Sequence, residues 1–400
     1  MVISDGEPPG AGFGAELTAL VEAELPAAVT LRHRLHADPR LSGREDDTAE
    51  ALCAAIGLPG EAVAGTGRVL RLGPATGPAV ALRAELDGLP LVERTGLPYA
   101  SDNGVMHACG HDVHCAGLVA VARALGQVAD RLPFGVVLVL QPREEAAPTG
   151  AGDVLADPAF ARHDVRAVIG AHVQPVLPRG VVSTRPGTVN ASCDELLITV
   201  TGRGGHAAYP QRADDPVLAL AQTVVSLHHL VSRRVDPLDS AVLTVGRIDA
   251  GTASNVIPTV ARAHGTLRAL EAGNRDRLVD AARAVVEHTA AAYGCTGTLE
   301  VLENEPLLRN DPRLASAVGD ELPAHGLRTD LEFRSCGSDD FAHYGRAAPS
   351  LMLFVGVDDG APDAPGLHDA RFAPPDDVVG DLARTFVAGL LGAARVLPDL

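Results

Sequence analysis

Four short apolar runs constrain the fold of this chain more than any other feature of its sequence. They lie in the stretches PAVALRAELDG (78–88), GVVLVLQPREE (135–145), RAVIGAHVQP (166–175) and PSLMLFVGV (349–357). Runs of Val, Leu and Ile bounded by turn residues are typical of strands buried on both faces. Helical patterns separate them, among them HCAGLVAVARALGQVAD (114–130). Strands that alternate with helices predict an α/β domain with a mostly parallel sheet.

The middle of the chain follows another pattern. A half-exposed strand (192–201) precedes an amphipathic helix (216–234), two strands (239–250 and 261–270), a second helix (274–294) and a last strand (296–303). This βαββαβ order is typical of a two-layer α+β domain with an antiparallel sheet. Because 400 residues usually form more than one core, we expect residues 190–303 to be a lid or dimerisation domain. It would be inserted into a catalytic domain of residues 1–189 and 304–400.

The acidic net charge restricts the classes of partner that this chain is expected to bind. Its net charge is −18, whereas proteins that bind nucleic acid use basic surfaces, so we expect neither nucleic acid nor an anionic membrane as a partner.

No apolar run reaches the roughly 18 residues of a membrane span, and the first residues lack the pattern of a secretory signal. The six cysteines are scattered, which suits a reducing compartment. We therefore expect a cytoplasmic enzyme.

Polar side chains follow the apolar runs at the points where the predicted strands end. Ligands of open parallel sheets bind at this carboxyl edge. A second polar group lies in MHACGHDVH (106–114), just before the helix at 114–130. Together the two groups supply carboxylate, thiol and imidazole side chains: Glu85, Asp87, Cys109, His111, Glu144, Glu145, His172 and His368. Their common position predicts a single site.

Each of these residues also has a simpler interpretation. A lone cysteine is most often a small buried hydrophobe, a lone histidine at a strand end is more often structural, and paired glutamates in a loop are usually solvated. The convergence of all these residues on one predicted edge of the sheet favours a metal site, because buried carboxylates need a cation or another partner. The mixed ligand types suit Zn²⁺, Mn²⁺, Co²⁺ or Ni²⁺. Because one tetrahedral ion does not need five ligands, two ions that share ligands are the simplest hypothesis.

The adjacent Glu144 and Glu145 allow a division of roles. Neighbouring residues in an extended segment point in opposite directions, so one glutamate can bind metal while the other faces a water molecule. A carboxylate next to an activated water is a general base. The pair therefore predicts hydrolysis.

The motifs also resemble a known family. MHACGHDVH, QPREEAAPTGAG, GAHVQP, GRGGHAAYPQRADDPV, NVIPTVARAHGTLRA, GSDDFAHYG and GLHDARFAP occur in the order found in the aminoacylase, hippurate hydrolase and auxin-conjugate amidohydrolase group of dinuclear metallopeptidases. The likeness runs from LRHRLHADPRLSGRE near residue 31 to about residue 375, which is nearly the whole chain. As a set, the motifs are highly specific.

The resemblance implies a role for each matching residue. The metal ligands would be Cys109, His111, Glu145, His172 and His368. Glu144 would be the general base, and Asp87 would orient a ligating histidine. From the lid domain, His206 would polarise the scissile carbonyl, and Asn255 and Arg268 would hold a substrate carboxylate; a surface ion pair is the alternative for Arg268. His107 and His114 would be structural neighbours.

Three positions depart from the family pattern. Glu85 occupies the first position of an Asp-x-Asp pair, the glycine-rich run after the paired glutamates is AAPTGAG, and Ser338–Asp340 reads Ser-Asp-Asp instead of Ser-Glu-Asp. All five ligand types and the base are present. These departures therefore concern the fit of the substrate more than the binding of metal.

The expected activity is hydrolysis of an N-acyl amino acid or a similar amide with a free carboxylate. A dipeptidase or carboxypeptidase on the same scaffold is one alternative, although Cys-x-His in place of the His and Asp of those branches argues against it. A catalytically silent homologue that binds an acyl amino acid or metal is another. The resemblance also allows a homodimer formed through the lid domain.

Overall fold

A computed structural model describes residues 11–399 of this chain. The described residues form ten α-helices: α1 (Ala11–Ala37), α2 (Asp46–Ile56), α3 (His111–Gly126), α4 (Gly150–Ala156), α5 (Pro158–Ala161), α6 (Pro216–His228), α7 (Leu230–Arg234), α8 (Ala272–Ala292), α9 (Pro312–Glu321) and α10 (Val378–Val396). Within residues 11–399, none of these helices combines the length and the apolar character that crossing a bilayer requires.

The same residues form sixteen strands. These are β1 (Glu61–Val63), β2 (Gly67–Leu72), β3 (Ala79–Glu85), β4 (Gly135–Gln141), β5 (Val165–Pro178), β6 (Val181–Ser183), β7 (Gly187–Asn190), β8 (Ser192–Thr201), β9 (Gly205–His206), β10 (Ala241–Ala250), β11 (Val256–Ile257), β12 (Val260–Ala269), β13 (Thr296–Glu305), β14 (Leu308–Asn310), β15 (Arg328–Asp330) and β16 (Ser350–Asp358). The α/β class predicted from the sequence is confirmed.

The chain divides into two compact units. Unit 1 comprises the residues up to Gly187, Arg309–Phe333 and the residues from Asp340 onward. Unit 2 comprises Thr188–Leu308 and the short return segment Arg334–Asp339. The sequence-based limits for the inserted domain were residues 190 and 303. The return segment is absent from that prediction, because it carries no strand or helix pattern.

An eight-stranded sheet organises unit 1, in the order β1-β2-β4-β3-β5-β16-β6-β15. Strand β3 runs parallel to both β4 and β5, and β16 runs parallel to β5. Every residue of β3 and β4 is buried, as the continuous apolar runs predict. Because the four central strands run in one direction, their carboxyl ends meet at one edge of the sheet.

Strand β5 is longer than its apolar run suggests. The sequence predicts a strand that ends before His172, but β5 continues through His172 to Pro178. The reason is β16, which pairs with β5 at His172 and beyond. His172 is therefore held inside the sheet instead of in a loop.

Unit 2 is a four-stranded antiparallel sheet with helices on one face. The strand order is β10-β12-β8-β13, and every neighbouring pair is antiparallel. Residues of β8 alternate between buried and half-exposed, so one face of the sheet packs on a core and the other is open. The buried face contacts α6 and α8, with Leu196, Ile198 and Leu227 in its core.

The turn-like stretch SNVIP contains a small strand that its sequence does not signal. Val256 and Ile257 form β11, which pairs with Gly205 and His206 of β9. This two-residue ribbon is too short to produce a periodic pattern, so hydrogen bonding to a distant segment is what defines it.

Helix α1 is fastened to α3 by a buried ionic network in unit 1. Arg32 and His36 of α1 both contact the Asp112 carboxylate, at 3.1 and 2.9 Å. The other ring nitrogen of His36 lies 3.0 Å from Glu93. Burial lowers the pKa of His36, but the attraction of Asp112 and Glu93 outweighs it and raises that pKa to about 9. His36 is therefore protonated at neutral pH.

We expect this network to make stability depend on pH. Protonated His36 stabilises the fold fully below its ordinary pKa of about 6.5, and this contribution is lost as the pH rises through about 9. The shift corresponds to about 3 kcal/mol at most. Urea unfolding of the wild type and of His36→Gln at several pH values measures it. The difference in unfolding free energy should shrink between pH 6.5 and 9; a constant difference would contradict the assignment.

Candidate active site

The carboxyl edge of the parallel strands in unit 1 gathers six of the predicted site residues. Their potential ligand atoms form overlapping groups in which all atoms lie within 4.8 Å of one another. One group is Cys109, Glu145 and His368, and a second is His111, Glu144 and Glu145. His172 joins them through Cys109, whose Sγ lies 3.4 Å from His172 Nε2. The edge therefore collects one thiol, three imidazoles and two carboxylates.

Cys109 and His111 reach this edge through a tight turn. Helix α3 begins at His111, and Gly110 before it has a φ of +84°. That left-handed conformation suits glycine, and a Cβ on residue 110 would lie 2.6 Å from Val173 Cγ2. The turn therefore needs glycine for both its backbone and its packing.

His111 presents one ring nitrogen to the site. Its Nδ1–H donates to the backbone oxygen of Asp87 at 2.8 Å. Its Nε2 is buried and has no hydrogen-bond partner among the described residues, and it lies 3.9 Å from both Glu144 Oε2 and Glu145 Oε1. The bond at Nδ1 therefore leaves Nε2 directed at the two glutamates.

His172 is arranged in the same way. Its Nδ1–H donates to the Val173 carbonyl at 2.7 Å, which leaves Nε2 facing Cys109. Burial and the neighbouring His114 hold the pKa of His172 well below its ordinary value. The ring is therefore neutral at pH 7, which is the form that binds metal.

His114 is occupied at both nitrogens. Its Nε2 accepts the N–H of Val173 at 3.0 Å, so its Nδ1–H donates to Glu85 at 2.9 Å. Glu85 also contacts the buried Arg83. Burial would raise the pKa of Glu85, but Arg83 and His114 lower it well below its usual range. His114 therefore has no lone pair for a metal, and Arg83 and His114 compensate the charge of Glu85, although both residues lie near His111 and His172.

Asp87 supports the site in a way that differs from the expectation. Its backbone oxygen, rather than its carboxylate, accepts the His111 hydrogen bond; the carboxylate Oδ1 lies 3.7 Å from His111 Nδ1. The carboxylate instead accepts the backbone N–H groups of Glu144 and Glu145, at 3.2 and 2.9 Å. Asp87 thus fixes the main chain that carries both glutamates.

Glu145 carries an unbalanced charge. Burial raises the pKa of its carboxyl, while His111 and His368 lower it. His368 Nε2 lies 3.5 Å from Glu145 Oε2, and Glu145 Oε1 is buried without a hydrogen-bond partner in the described chain. Burying this carboxylate oxygen and the facing His111 Nε2 without hydrogen bonds costs free energy. A cation between the two atoms would interact favourably with both.

Two residues of the site have a left-handed backbone. His368 has a φ of +63° and Arg143, just before Glu144, a φ of +55°. Such conformations cost about 1–3 kcal/mol in residues other than glycine and persist where the surroundings fix them. The His368 N–H donates to the Ala108 carbonyl at 2.9 Å, which ties its loop to the residue before Cys109.

The other predicted site residues belong to unit 2. The β9–β11 ribbon brings His206 and Asn255 together, and the Ala207 N–H donates to the Asn255 carbonyl at 3.0 Å. Both line a cavity of about 730 Å³ with Gly204, Gly251 and Pro258. Arg268 does not line this cavity; its guanidinium donates to the Cys336 carbonyl and the Ser338 hydroxyl, at 3.2 and 3.1 Å.

The sequence interpretation missed one supporting charge. Arg83 is fully buried and donates to Gln141 at 2.9 Å and Asp340 at 2.8 Å, besides contacting Glu85. The signal was present, because an arginine inside the apolar run VALRAE requires buried acidic partners.

Comparison with known proteins agrees with this geometry. Residues 81–390 match the profile of peptidase family M20/M25/M40. The chain is 35% identical over 336 residues to the N-acetyl-L-cysteine deacetylase of Bacillus subtilis, covering 82% of this chain and 80% of the relative. It is 37% identical over 343 residues to the IAA-amino acid hydrolase ILR1-like 4 of Arabidopsis thaliana, covering 82% and 77%.

A solved structure extends the comparison. The YxeP protein of Bacillus subtilis, described as a dinuclear metal binding peptidase from the M20 family, superimposes with a TM-score of 0.81 at 29% identity. The match covers 95% of this chain and 100% of that one. These relatives confirm the family resemblance that the motifs indicate.

The hydrogen-bond pattern predicts which of two neighbouring histidines binds metal. We expect His111→Ala and Cys109→Ser each to lower the metal content of purified protein well below that of the wild type. His114→Asn should retain it, because the amide can still donate to Glu85. Elemental analysis after dialysis against Zn²⁺ measures this. Loss of metal in His114→Asn together with full retention in His111→Ala would reverse the assignment.

Proposed function

Because the chain belongs to peptidase family M20/M25/M40, we propose that it is a metal-dependent amidohydrolase that cleaves the amide bond of an N-acyl amino acid. The observation that carries this proposal is the pair Glu144 and Glu145, whose backbone is fixed by one carboxylate. Within residues 11–399, the buried Oε1 of Glu145 has no hydrogen-bond partner. The names of relatives that act on N-acetylcysteine and IAA-amino acids support the substrate class.

The donor set fits two divalent transition-metal ions. The residues that would hold them are Cys109, His111, Glu145, His172 and His368. A thiolate with imidazoles and a carboxylate suits Zn²⁺, Mn²⁺, Co²⁺ or Ni²⁺ rather than Mg²⁺ or Ca²⁺. When bound, such ions lower the pKa of water and stabilise negative charge on a carbonyl oxygen.

Glu144 supplies the proton transfers. Its side chain is only 11% exposed and its Oε2 lies 3.9 Å from His111 Nε2, so it stands beside the ligand set. In the proposed reaction its carboxylate accepts a proton from the attacking water and then delivers it to the leaving amine. The main-chain bonds to Asp87 fix the backbone from which the Glu144 carboxylate acts in both steps.

Residues of unit 2 would bind the substrate. The His206 Nδ1 accepts the N–H of Ala208 at 3.0 Å, so the neutral ring carries its hydrogen on Nε2 and can donate to a carbonyl oxygen. In the proposal this donor stabilises the oxyanion. Asn255 and Arg268 supply an amide and a guanidinium for the substrate carboxylate.

Unit 2 would also form a homodimer. Strand β10 lies at one end of its sheet, and Val242 and Ile248 on that strand are exposed. An edge strand with unpaired backbone groups and apolar side chains is suited to pair with a second copy.

The free cysteines and acidic charge support a cytoplasmic location.

A substrate panel tests the activity. We expect acetyl- and benzoyl-amino acids to be hydrolysed, unblocked dipeptides to be poor substrates, and chelation to abolish turnover. Zn²⁺ or Mn²⁺ added back should restore it. Faster hydrolysis of dipeptides would move the chain to the peptidase side of the family, and metal-loaded protein without any turnover would indicate a binding homologue.

The two glutamates can be separated by substitution. Glu144→Gln should lower kcat by about 10²–10⁴-fold, because the amide cannot accept the proton, and should leave the metal content near that of the wild type. Glu145→Gln is the matched control and should lose metal. Steady-state kinetics and elemental analysis measure both. Metal loss confined to Glu144→Gln would mean that the two roles are exchanged.

A further inference from the structure

The turn after β4 is held by three consecutive backbone amides. The N–H of Arg143 donates to Glu45 Oε1 at 2.9 Å, that of Glu144 to Asp87 Oδ1 at 3.2 Å, and that of Glu145 to Asp87 Oδ2 at 2.9 Å. Two carboxylates from separate parts of the chain therefore determine the path of the main chain through both glutamates.

Glu45 is the second of these carboxylates and takes no part in the chemistry described above. It precedes α2 and is fully buried, with 0% of its surface exposed. Its other oxygen accepts the Thr66 hydroxyl at 2.5 Å. A buried carboxylate is stable only with such partners, and one of its partners is the peptide group next to Glu144.

The segment 40–45 also supports Asp87. The Ser42 hydroxyl donates to Asp87 Oδ2 at 2.6 Å, and the Gly88 N–H donates to the Arg40 carbonyl at 2.7 Å. The segment therefore supplies one of the two carboxylates that hold the turn, Glu45, and contacts the other, Asp87. It forms the end of the motif LRHRLHADPRLSGRE, which carries no role in the chemistry.

Arg143 is the position at which this support is needed. Its φ of +55° is a conformation that residues other than glycine rarely adopt. Both of its backbone groups are fixed, since the Arg143 carbonyl accepts the Gly150 N–H at 2.8 Å. Without the bond to Glu45, Arg143 can return to negative φ, and that rotation moves the peptide that carries Glu144.

We propose that Glu45 and Ser42 are positioning residues for the metal ligand and the general base. Glu45 holds Arg143 in its left-handed conformation, and Ser42 holds the Asp87 carboxylate against the next two amides. The inference rests on the proposed function for the roles of Glu144 and Glu145. It adds two residues that do not face the metal site themselves but align Glu144 and Glu145 through hydrogen bonds to Asp87 and to the main chain.

The test compares Glu45→Ala, Glu45→Gln and the control Glu50→Ala, an exposed glutamate of α2, the helix that follows Glu45. Zn²⁺ affinity is measured by competition with a chelating dye, and kcat and KM are measured on the best substrate. We expect Glu45→Ala to lose about 10–100-fold in Zn²⁺ affinity and in kcat, with KM nearly unchanged. Glu45→Gln should stay near the wild type, because its amide oxygen can accept the Arg143 N–H and its amide nitrogen can donate to Thr66.

The metal readout separates this inference from the proposed function. If the wild type hydrolyses no N-acyl amino acid, the proposed function fails, and the Zn²⁺ affinity of the variants still decides the positioning role. Wild-type affinity and kcat in Glu45→Ala would overturn the inference, as would a loss in Glu45→Gln equal to that in Glu45→Ala. A purely structural role would lower only the unfolding midpoint, with no change in the folded protein measured at low temperature.

Ser42→Ala covers the case in which Glu45→Ala does not fold. This variant keeps the buried carboxylate of Glu45 and removes a single hydroxyl from Asp87. We expect a smaller loss, about 3–10-fold in Zn²⁺ affinity and kcat. Unchanged values in folded Ser42→Ala would overturn the inference, since Asp87 would then need no support from the segment 40–45.

Discussion

Buried side-chain atoms without hydrogen-bond partners are the constraint around which the carboxyl edge of unit 1 is organised. His111 Nε2 and Glu145 Oε1 face each other across 3.9 Å, and neither has a hydrogen bond within the described residues. Behind them, Asp87 fixes both residues: His111 Nδ1–H donates to the Asp87 backbone carbonyl, and the Glu145 N–H donates to the Asp87 carboxylate. The protein thus orients these atoms and leaves them unsatisfied, which is the arrangement that favours a bound cation.

The contrast between Glu85 and Glu145 shows how one residue type takes two roles at the same edge. Glu85 is paired with Arg83 and His114, which hold its pKa low and occupy its oxygens. The Glu145 carboxyl faces Cys109, His111 and His368 without an arginine partner among the described residues, and burial raises its pKa. A cation would stabilise Glu145 more than Glu85, because Glu85 is already compensated by a buried guanidinium. The environment therefore favours Glu145 over Glu85 as the proposed metal ligand.

Much of this site could be predicted because it follows from strand direction. Parallel strands place the residues after each apolar run at one edge, and the helix that starts at His111 begins there too. What could not be predicted depends on hydrogen bonds between distant segments. The β9–β11 ribbon, the continuation of β5 through His172 and the bonds from Asp87 to the glutamate amides leave no periodic signal.

Backbone hydrogen bonds also explain why the loop AAPTGAG, which departs from the family pattern, is compatible with the site. The Arg143 carbonyl accepts the Gly150 N–H, and the Arg143 side chain donates to the Pro148 carbonyl at 3.0 Å. A Cβ on residue 150 would lie 1.9 Å from the Pro142 oxygen, so the glycine that closes the loop is required. Ala146–Pro148 are exposed and lie between these fixed ends. Because the backbone amides of Glu144 and Glu145 are hydrogen-bonded to Asp87, the side chains of the loop can differ from the family pattern without moving the main chain of the two glutamates.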